Sequence, residues 1–165
     1  MRPVTVLFSL GSNIEPRVST LCAAALRLHV HHNLVLDQFS SFYETSPQDM
    51  ESSSPFVNQV ILAQTRFSPE ELLCLLQSVE QELGRTRDES GEYRDRTIDI
   101  DILYYGDDVI NTDRLTIPHP RIQDRPFVLI PMREIAPNMV HPVLKKTPSQ
   151  MLADIDASRF TVTKI

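Results

Sequence analysis

Two cysteines, Cys22 and Cys74, are all that the chain has, too few for a disulfide framework. No apolar run is long enough to span a bilayer. The opening MRPVTVLFSLGSN has too short an apolar part, and too strand-like a pattern, to be expected as a signal peptide. Internal repeats, low-complexity tracts and evident linkers are missing as well. Positive charge is scarce: 16 Lys and Arg stand against 22 Asp and Glu, a net −6, which argues against a nucleic-acid surface or an anionic membrane face. Neither G-x-x-x-x-G-K-[ST] nor a kinase Gly-rich loop occurs, so any nucleoside triphosphate must be held without a P-loop. What is present is ordinary for a globular protein: 165 residues, 41% apolar and 23% charged, enough to bury a core without metal or disulfide staples. One domain over 1–165 in a reducing cytoplasm is the expectation.

Lysine is the rarer cation. Lys145, Lys146 and Lys164 all lie late in the chain, whereas Arg85, Arg87, Arg94, Arg96, Arg114, Arg121, Arg125 and Arg133 fall in one segment. Arginine presents a planar fork that grips two phosphate oxygens at once.

Residues 4–10 read as a first strand, ended by Gly11-Ser12-Asn13. Val18, Leu21, Cys22, Ala25 and Leu28 recur at helical spacing, which predicts a helix with Cys22 buried on its apolar stripe. LVLDQFSSFYE alternates as one strand, Thr45 to Pro55 is a polar Pro- and Ser-rich loop, and FVNQVILAQT is a third strand. Ser68-Pro69-Glu70-Glu71 is a helix start with a capping box; Leu72, Leu76, Val79 and Leu83 form its stripe and Gly84 ends it. A charged loop follows, Arg85 to Asp95, and then DRTIDIDILYYG is a fourth strand leading into a short hairpin. The order β-α-β-β-α-β predicts an α+β, ferredoxin-like fold with an antiparallel sheet. The Pro-rich remainder predicts short helices near 127–134 and 148–155 and a closing strand, RFTVTKI.

The fourth strand raises the chemical question. Aspartate is depleted in strands, yet Asp99 and Asp101 stand two apart. Alternation puts Thr97, Asp99, Asp101 and Leu103 on one face, and Ile98, Ile100, Ile102 and Tyr104 on the other. Carboxylates about 7 Å apart along one face repel in a dry site unless a cation lies between them. Mg²⁺ takes such oxygens and keeps substrate phosphates in its remaining positions, and a pair of ions can be bridged in this way. The plainer alternative is a solvent-facing edge kept soluble by its acids. Arg96 and the arginine loop beside the pair favour a polyanionic substrate clamped from both sides.

Other candidates each have a plain alternative. Gln77 and Glu80 share one helix edge, where a solvated flank is the default expectation. His119, on a Pro-flanked segment near Arg121 and Arg125, can donate to phosphate or simply lie on a surface loop. His29, His31 and His32 look like a metal cluster, but cations at a helix C-terminus explain them more simply. Phe56 and Asn58 share a strand face, where a ring beside an amide suits a flat heterocycle and core packing is the default for Phe56.

LGSN, SSFYETSP, FVNQVILAQT, VEQELGRTR and the long run RDRTIDIDILYYGDDVINTDRLTIPHPRIQDRPFVLIPMREIAP together resemble the 6-hydroxymethyl-7,8-dihydropterin pyrophosphokinases. The resemblance runs from Val4 to about Val143, and R-x-I-D-I-D-I-L followed by I-P-H-P-R is its specific core. It implies a cytoplasmic, monomeric α+β enzyme that moves pyrophosphate from ATP to the pterin hydroxymethyl group in folate biosynthesis and releases AMP. It implies two Mg²⁺ ions on Asp99 and Asp101. Gln77, Glu80, Arg87, Arg96, Ile102, Arg114, Thr116, His119 and Arg125 match ATP-contacting positions, with Arg85 a further catalytic-loop arginine. Thr45, Phe56, Asn58, Asp99 and Phe127 match the pterin pocket, two rings sandwiching the heterocycle. Departures are Tyr93 in place of a tryptophan, Pro120 in place of a tyrosine, a third loop one residue longer, and TSPQD in place of a more apolar run. Two rival classes remain: a small-ligand regulatory module on the same scaffold, and a relative that binds without chemistry.

Overall fold

The computed structural model describes residues 2–46, 54–85 and 96–165. Its core runs β1 (Val4–Ser12), α1 (Arg17–His29), β2 (Leu34–Phe39), β3 (Tyr43–Thr45), β4 (Phe56–Thr65), α2 (Pro69–Glu82) and β5 (Asp99–Tyr105). There follow β6 (Ile110–Asn111), β7 (Thr116–Ile117), α3 (Pro126–Ile135), α4 (Pro148–Ala153) and β8 (Val162–Lys164). The main sheet is antiparallel in the order β5-β1-β4-β3-β8, with β2 also on β4. Taking β2 and β3 as one interrupted strand, the core reads fourth, first, third, second, which is the ferredoxin-like arrangement.

LVLDQFSSFYE was expected as a single strand, and the structure divides it. Phe39 pairs with Ile61 but Tyr43 pairs with Asn58, so this side carries one more residue than β4 does. Ser40 fills the gap. Its backbone N–H donates to Val60 O, its Oγ accepts from Val60 N, and Gln59 Nε2 donates to its carbonyl, each at 2.9 Å. The ladder is interrupted with its polar groups still satisfied.

Helix α2 starts where the sequence places it. Ser68 and Glu71 form a reciprocal capping box with Pro69 in the first turn, and Gly84 follows the helix with φ +88°, a left-handed conformation that suits glycine. The stripe of α1 is corrected. The residues buried are Thr20, Leu21, Ala24 and Leu28, while Val18 and Cys22 are exposed. The stripe that meets the sheet is Leu21, Ala24 and Leu28, and Cys22 lies about 100° around the helix from Leu21. In the turn after this helix, the His31 ring packs edge-on against Phe67.

The sheet separates two cores. Val6, Phe8, Leu10, Ile61, Ile98, Ile100 and Ile102 pack under α1 and α2. Leu7, Val60 and Leu103 pack beneath Val128, Leu129 and Met132 of α3, with Met151 of α4. A bulge in β5 corrects the expected facing. Leu7 pairs with Tyr104 and Phe8 with Ile102, so Leu103 is an extra residue. Tyr104 therefore joins the α3 core, and Tyr105 takes the place expected for it beside the isoleucines.

Candidate active site

Asp99 and Asp101 leave the sheet on the face opposite α1 and α2, beyond the end that α3 covers. The isoleucines between and beside them, Ile98, Ile100 and Ile102, are at most 5% exposed, so the strand is anchored by one face and chemically available on the other. Gly11 of β1 pairs with both Asp99 and Asn58 across the sheet. A Cβ at position 11 would lie 3.0 Å from Asn58 Oδ1, so any side chain there presses on that amide.

The two carboxylates differ in company. Asp99 is held on both oxygens: Arg85 Nη1 donates to Oδ1 and Arg96 Nη1 to Oδ2, each at 2.7 Å. Asp101 faces looser partners, Arg125 Nη1 and His119 Nε2, each 3.7 Å from Oδ2. Burial and the neighbouring Asp99 carboxylate push Asp101 up to about 7, against the pull of Arg125. Burial, with Arg125 alongside, pushes His119 down to about 4, so it is neutral at pH 7. His119 Nδ1 accepts from Arg121 N at 3.2 Å, which assigns the ring proton to Nε2, the nitrogen that faces Asp101.

Glu80 overturns its expectation. Rather than a solvated helix flank, it is 3% exposed. Its Oε1 accepts from Ile100 N at 2.7 Å and from Arg85 Nη1 at 2.5 Å. Burial raises its pKa, while the Ile100 amide and Arg85 lower it. A buried carboxylate thus joins α2 to β5 and steers the arginine that reaches Asp99. Asn13 plays a similar part, unassigned by the sequence reading. Its Oδ1 accepts from Arg96 N at 2.7 Å and its N–H donates to Arg96 O at 3.2 Å. The only signal in the sequence was its place in the LGSN turn.

Beside the acids lies a cleft enclosing about 740 Å³, part of it open to solvent. It brings together Thr45, Phe56, Asn58 and Phe127 with Arg96, Asp99, Asp101 and Arg125. Arg121 and Ser46 also line it, neither of them assigned a pocket role from sequence. Asn58 is 6% exposed and its Nδ2 donates to Thr45 Oγ1 at 2.9 Å, which leaves Oδ1 turned toward Gly11. The Arg125 guanidinium stands 5.6 Å from the centroid of the Phe127 ring. Thr116 and His119 line a second, more open depression next to the β6–β7 hairpin. The structure does not bring the remaining candidates into either depression. Ile102 is 4% exposed in the apolar core, Gln77 is half-buried on α2, and Arg114 is exposed with Nη2 3.9 Å from Cys74 Sγ. Arg87 lies outside the described residues.

Known proteins resemble the chain across the span that holds this cleft. A family model described as 7,8-dihydro-6-hydroxymethylpterin-pyrophosphokinase (HPPK) matches residues 7–137. The chain is 39% identical over 142 residues to a 2-amino-4-hydroxy-6-hydroxymethyldihydropteridine pyrophosphokinase of Aquifex aeolicus, covering 86% of each chain. It is 42% identical over 127 residues to the Bacillus subtilis protein of that name, covering 77% of this chain and 75% of the other. The Haemophilus influenzae protein is 40% identical over 139 residues, covering 84% and 86%. Among solved structures, wild-type Plasmodium falciparum HPPK-DHPS with pteroate superposes with a TM-score of 0.74 at 15% identity, over 93% of this chain. This chain spans 44% of that longer one, and the likeness speaks for the fold alone.

Proposed function

The chain belongs to the 7,8-dihydro-6-hydroxymethylpterin-pyrophosphokinase family, and from that premise we propose how its residues divide the work. The reaction is ATP-dependent pyrophosphoryl transfer to the hydroxymethyl group of the dihydropterin, in folate biosynthesis. The hydroxymethyl oxygen bonds to the β-phosphorus of ATP and releases its proton to solvent, the bond from that phosphorus to the α-phosphate bridging oxygen breaks, and AMP leaves with that oxygen.

Thr45, Phe56, Asn58 and Phe127 take the pterin. The two rings flank the heterocycle, and Asn58 Oδ1, with its amide nitrogen already committed to Thr45, accepts from the heterocycle edge. Arg85, Arg96, Arg121 and Arg125 meet the phosphates and offset charge that builds on the transferring group, so catalysis rests on positioning and electrostatics. Arg87, Arg114, Thr116, His119, Gln77, Glu80 and Ile102 belong to the nucleotide side of this reading, with Glu80 acting through Arg85 and the β5 backbone.

The donor set suits a hard cation. Two carboxylates share one strand face, and Asp101 is held protonated up to about pH 7 by burial and by Asp99. Such a site gains from a divalent ion. Asp99 and Asp101 would hold two Mg²⁺, which supply charge neutralisation to the bound triphosphate. Arg85 and Arg96, which donate to the two Asp99 oxygens, stand where they would also meet the phosphates.

The same reading takes 1–165 as one domain working as a monomer in the cytoplasm. In its support, one sheet carries both cores, and the free thiols Cys22 and Cys74 suit a reducing compartment. Among the described residues no helix is long and apolar enough to cross a membrane.

The observation that carries the proposal is the convergence in one cleft of the paired acids, the arginines and the ring–amide wall. The test is product analysis with ATP and Mg²⁺, with and without the hydroxymethyl dihydropterin. Pterin-dependent AMP is expected; ADP, or AMP released equally without pterin, overturns the reading.

A further inference from the structure

Arg17 stands in the first turn of α1, outside the cleft, yet it touches both strand ends that carry the cleft wall. Its Nη1 donates to the Pro55 carbonyl at 2.9 Å and reaches Glu44 Oε2 at 3.0 Å. Glu15 fixes the guanidinium from the other side. Its Oε1 accepts from Arg17 Nε at 2.7 Å and its Oε2 from Arg17 N at 3.1 Å. Glu44 and Pro55 are the chain neighbours of Thr45 and Phe56, which pair directly across β3 and β4. Successive residues of a strand point to opposite faces. A tether on Glu44 therefore acts from the face away from the cleft, while Thr45 next to it accepts from Asn58 inside the wall.

A lone exposed ion pair contributes little to a structure. This one spans two strands. The Arg17 side chain is 18% exposed against 39% for Glu44, and one nitrogen joins that carboxylate on β3 to a backbone carbonyl at the edge of β4. Charge-assisted bonds of this sort, partly withdrawn from water, are the stronger class.

We propose that Arg17 is a positioning residue for the heterocycle: its guanidinium holds the ends of β3 and β4 at the spacing that presents Thr45, Asn58 and Phe56 to the pterin ring. The proposal rests on the pterin pocket assigned above. It places specificity for the heterocycle partly under the control of a residue that does not touch it.

The experiment measures KM for the hydroxymethyl dihydropterin, KM for ATP, kcat and Tm in five variants: Arg17→Ala, Arg17→Lys, Glu44→Gln, Asn58→Ala and Arg27→Ala. Arg27 is on the same helix and pairs with Glu82. Arg17→Ala is expected to raise the pterin KM about tenfold, the equivalent of one lost charge-assisted bond, while ATP KM and kcat stay within about twofold. Glu44→Gln gives a smaller rise of the same kind, Arg17→Lys recovers part of the loss, and Arg27→Ala changes none of the three constants. A merely structural Arg17 lowers Tm without separating the two KM values, and that result overturns the proposal. If Arg17→Ala fails to fold, Glu44→Gln, which leaves Arg17 on Pro55, makes the same comparison. Should Asn58→Ala raise the pterin KM while Arg17→Ala and Glu44→Gln do not, the pocket stands and the role of Arg17 falls. An unchanged pterin KM in Asn58→Ala brings down the pocket, and this proposal with it.

Discussion

The two faces of the sheet use the same strands for opposite ends. Toward α1 and α2, Phe8, Leu10, Ile61 and Ile100 form a dry layer closed by Leu72 and Leu76. On the reverse, Leu7, Val60 and Leu103 are covered by α3, and farther along the same strands come Gly11, Asn58, Asp99 and Asp101. Helix length accounts for part of the difference. The ten residues of α3 reach about 15 Å, so a strand as long as β4 outruns it. Period-two alternation delivers side chains to both faces equally; the cleft lies where a covering helix stops. The dry face supplies stability, and the uncovered end of the other spends some of it on buried charge.

Four changes test that division. The largest effect is expected from Asp101→Asn, with turnover falling about a thousandfold or more because a charged ligand is gone from the site. The Tm of the metal-free protein should hold or rise, since an awkward carboxylate has been removed; a large fall in Tm would show that Asp101 supports the fold. Leu76→Ala is the mirror image. Truncating this fully buried residue is expected to cost about 2–5 kcal/mol by chemical denaturation. Activity per folded molecule should stay level, and a lost activity would mean that the dry face shapes the site. Gly11→Ala comes next. Its Cβ would meet Asn58 Oδ1 at 3.0 Å, and displacing that amide by overpacking is worth about 1–3 kcal/mol. The pterin KM should rise while the ATP KM changes little.

The smallest effect is on pH. Asp101 holds its proton up to about 7, against 3.8 unperturbed. The stability this proton brings is fully present below the lower value and is lost as pH rises through about 7. His119, pushed down to about 4, pulls the other way, since its contribution is present above 6.5 and is lost as pH falls toward 4. The difference in Tm between wild type and Asp101→Asn, without metal, isolates the first effect. Relative to the variant, wild type should gain stability on moving from pH 8 to pH 5.5. A difference that does not change with pH would place Asp101 in an ordinary, ionised environment. The same proton competes with Mg²⁺, so Mg²⁺ affinity should climb as pH passes 7 and then level off.

The elements legible in the sequence were those whose signals are local. The Ser68–Glu71 box, Gly84 and the alternation of Ile98 to Asp101 each act within a few residues of chain, and each is found where its pattern placed it. The elements misread were decided by a partner strand or helix. The break at Ser40 depends on Val60 and Gln59, and the switch of Tyr104 depends on a bulge against Leu7 and Phe8. Cys22 sits on a stripe that looks apolar until the sheet selects Leu21, Ala24 and Leu28. Glu80 was read as solvated because helical spacing cannot reveal that Ile100 N and Arg85 come to meet it.

By itself the sequence determined the order of the elements, the shared face of the two aspartates and the family, because periodicity, caps and motifs are written in neighbouring residues. The tertiary structure alone decided which acid is saturated. Arg85 and Arg96 close on Asp99, while Asp101 keeps 3.7 Å contacts and a pKa raised to about 7. It also decided that Asn13 clamps Arg96, that Glu80 is buried, and that Arg17 ties β3 to β4. Each of these depends on how far apart two distant stretches of chain come to rest and on how much water is left between them. Electrostatic strength follows those two quantities rather than residue type alone.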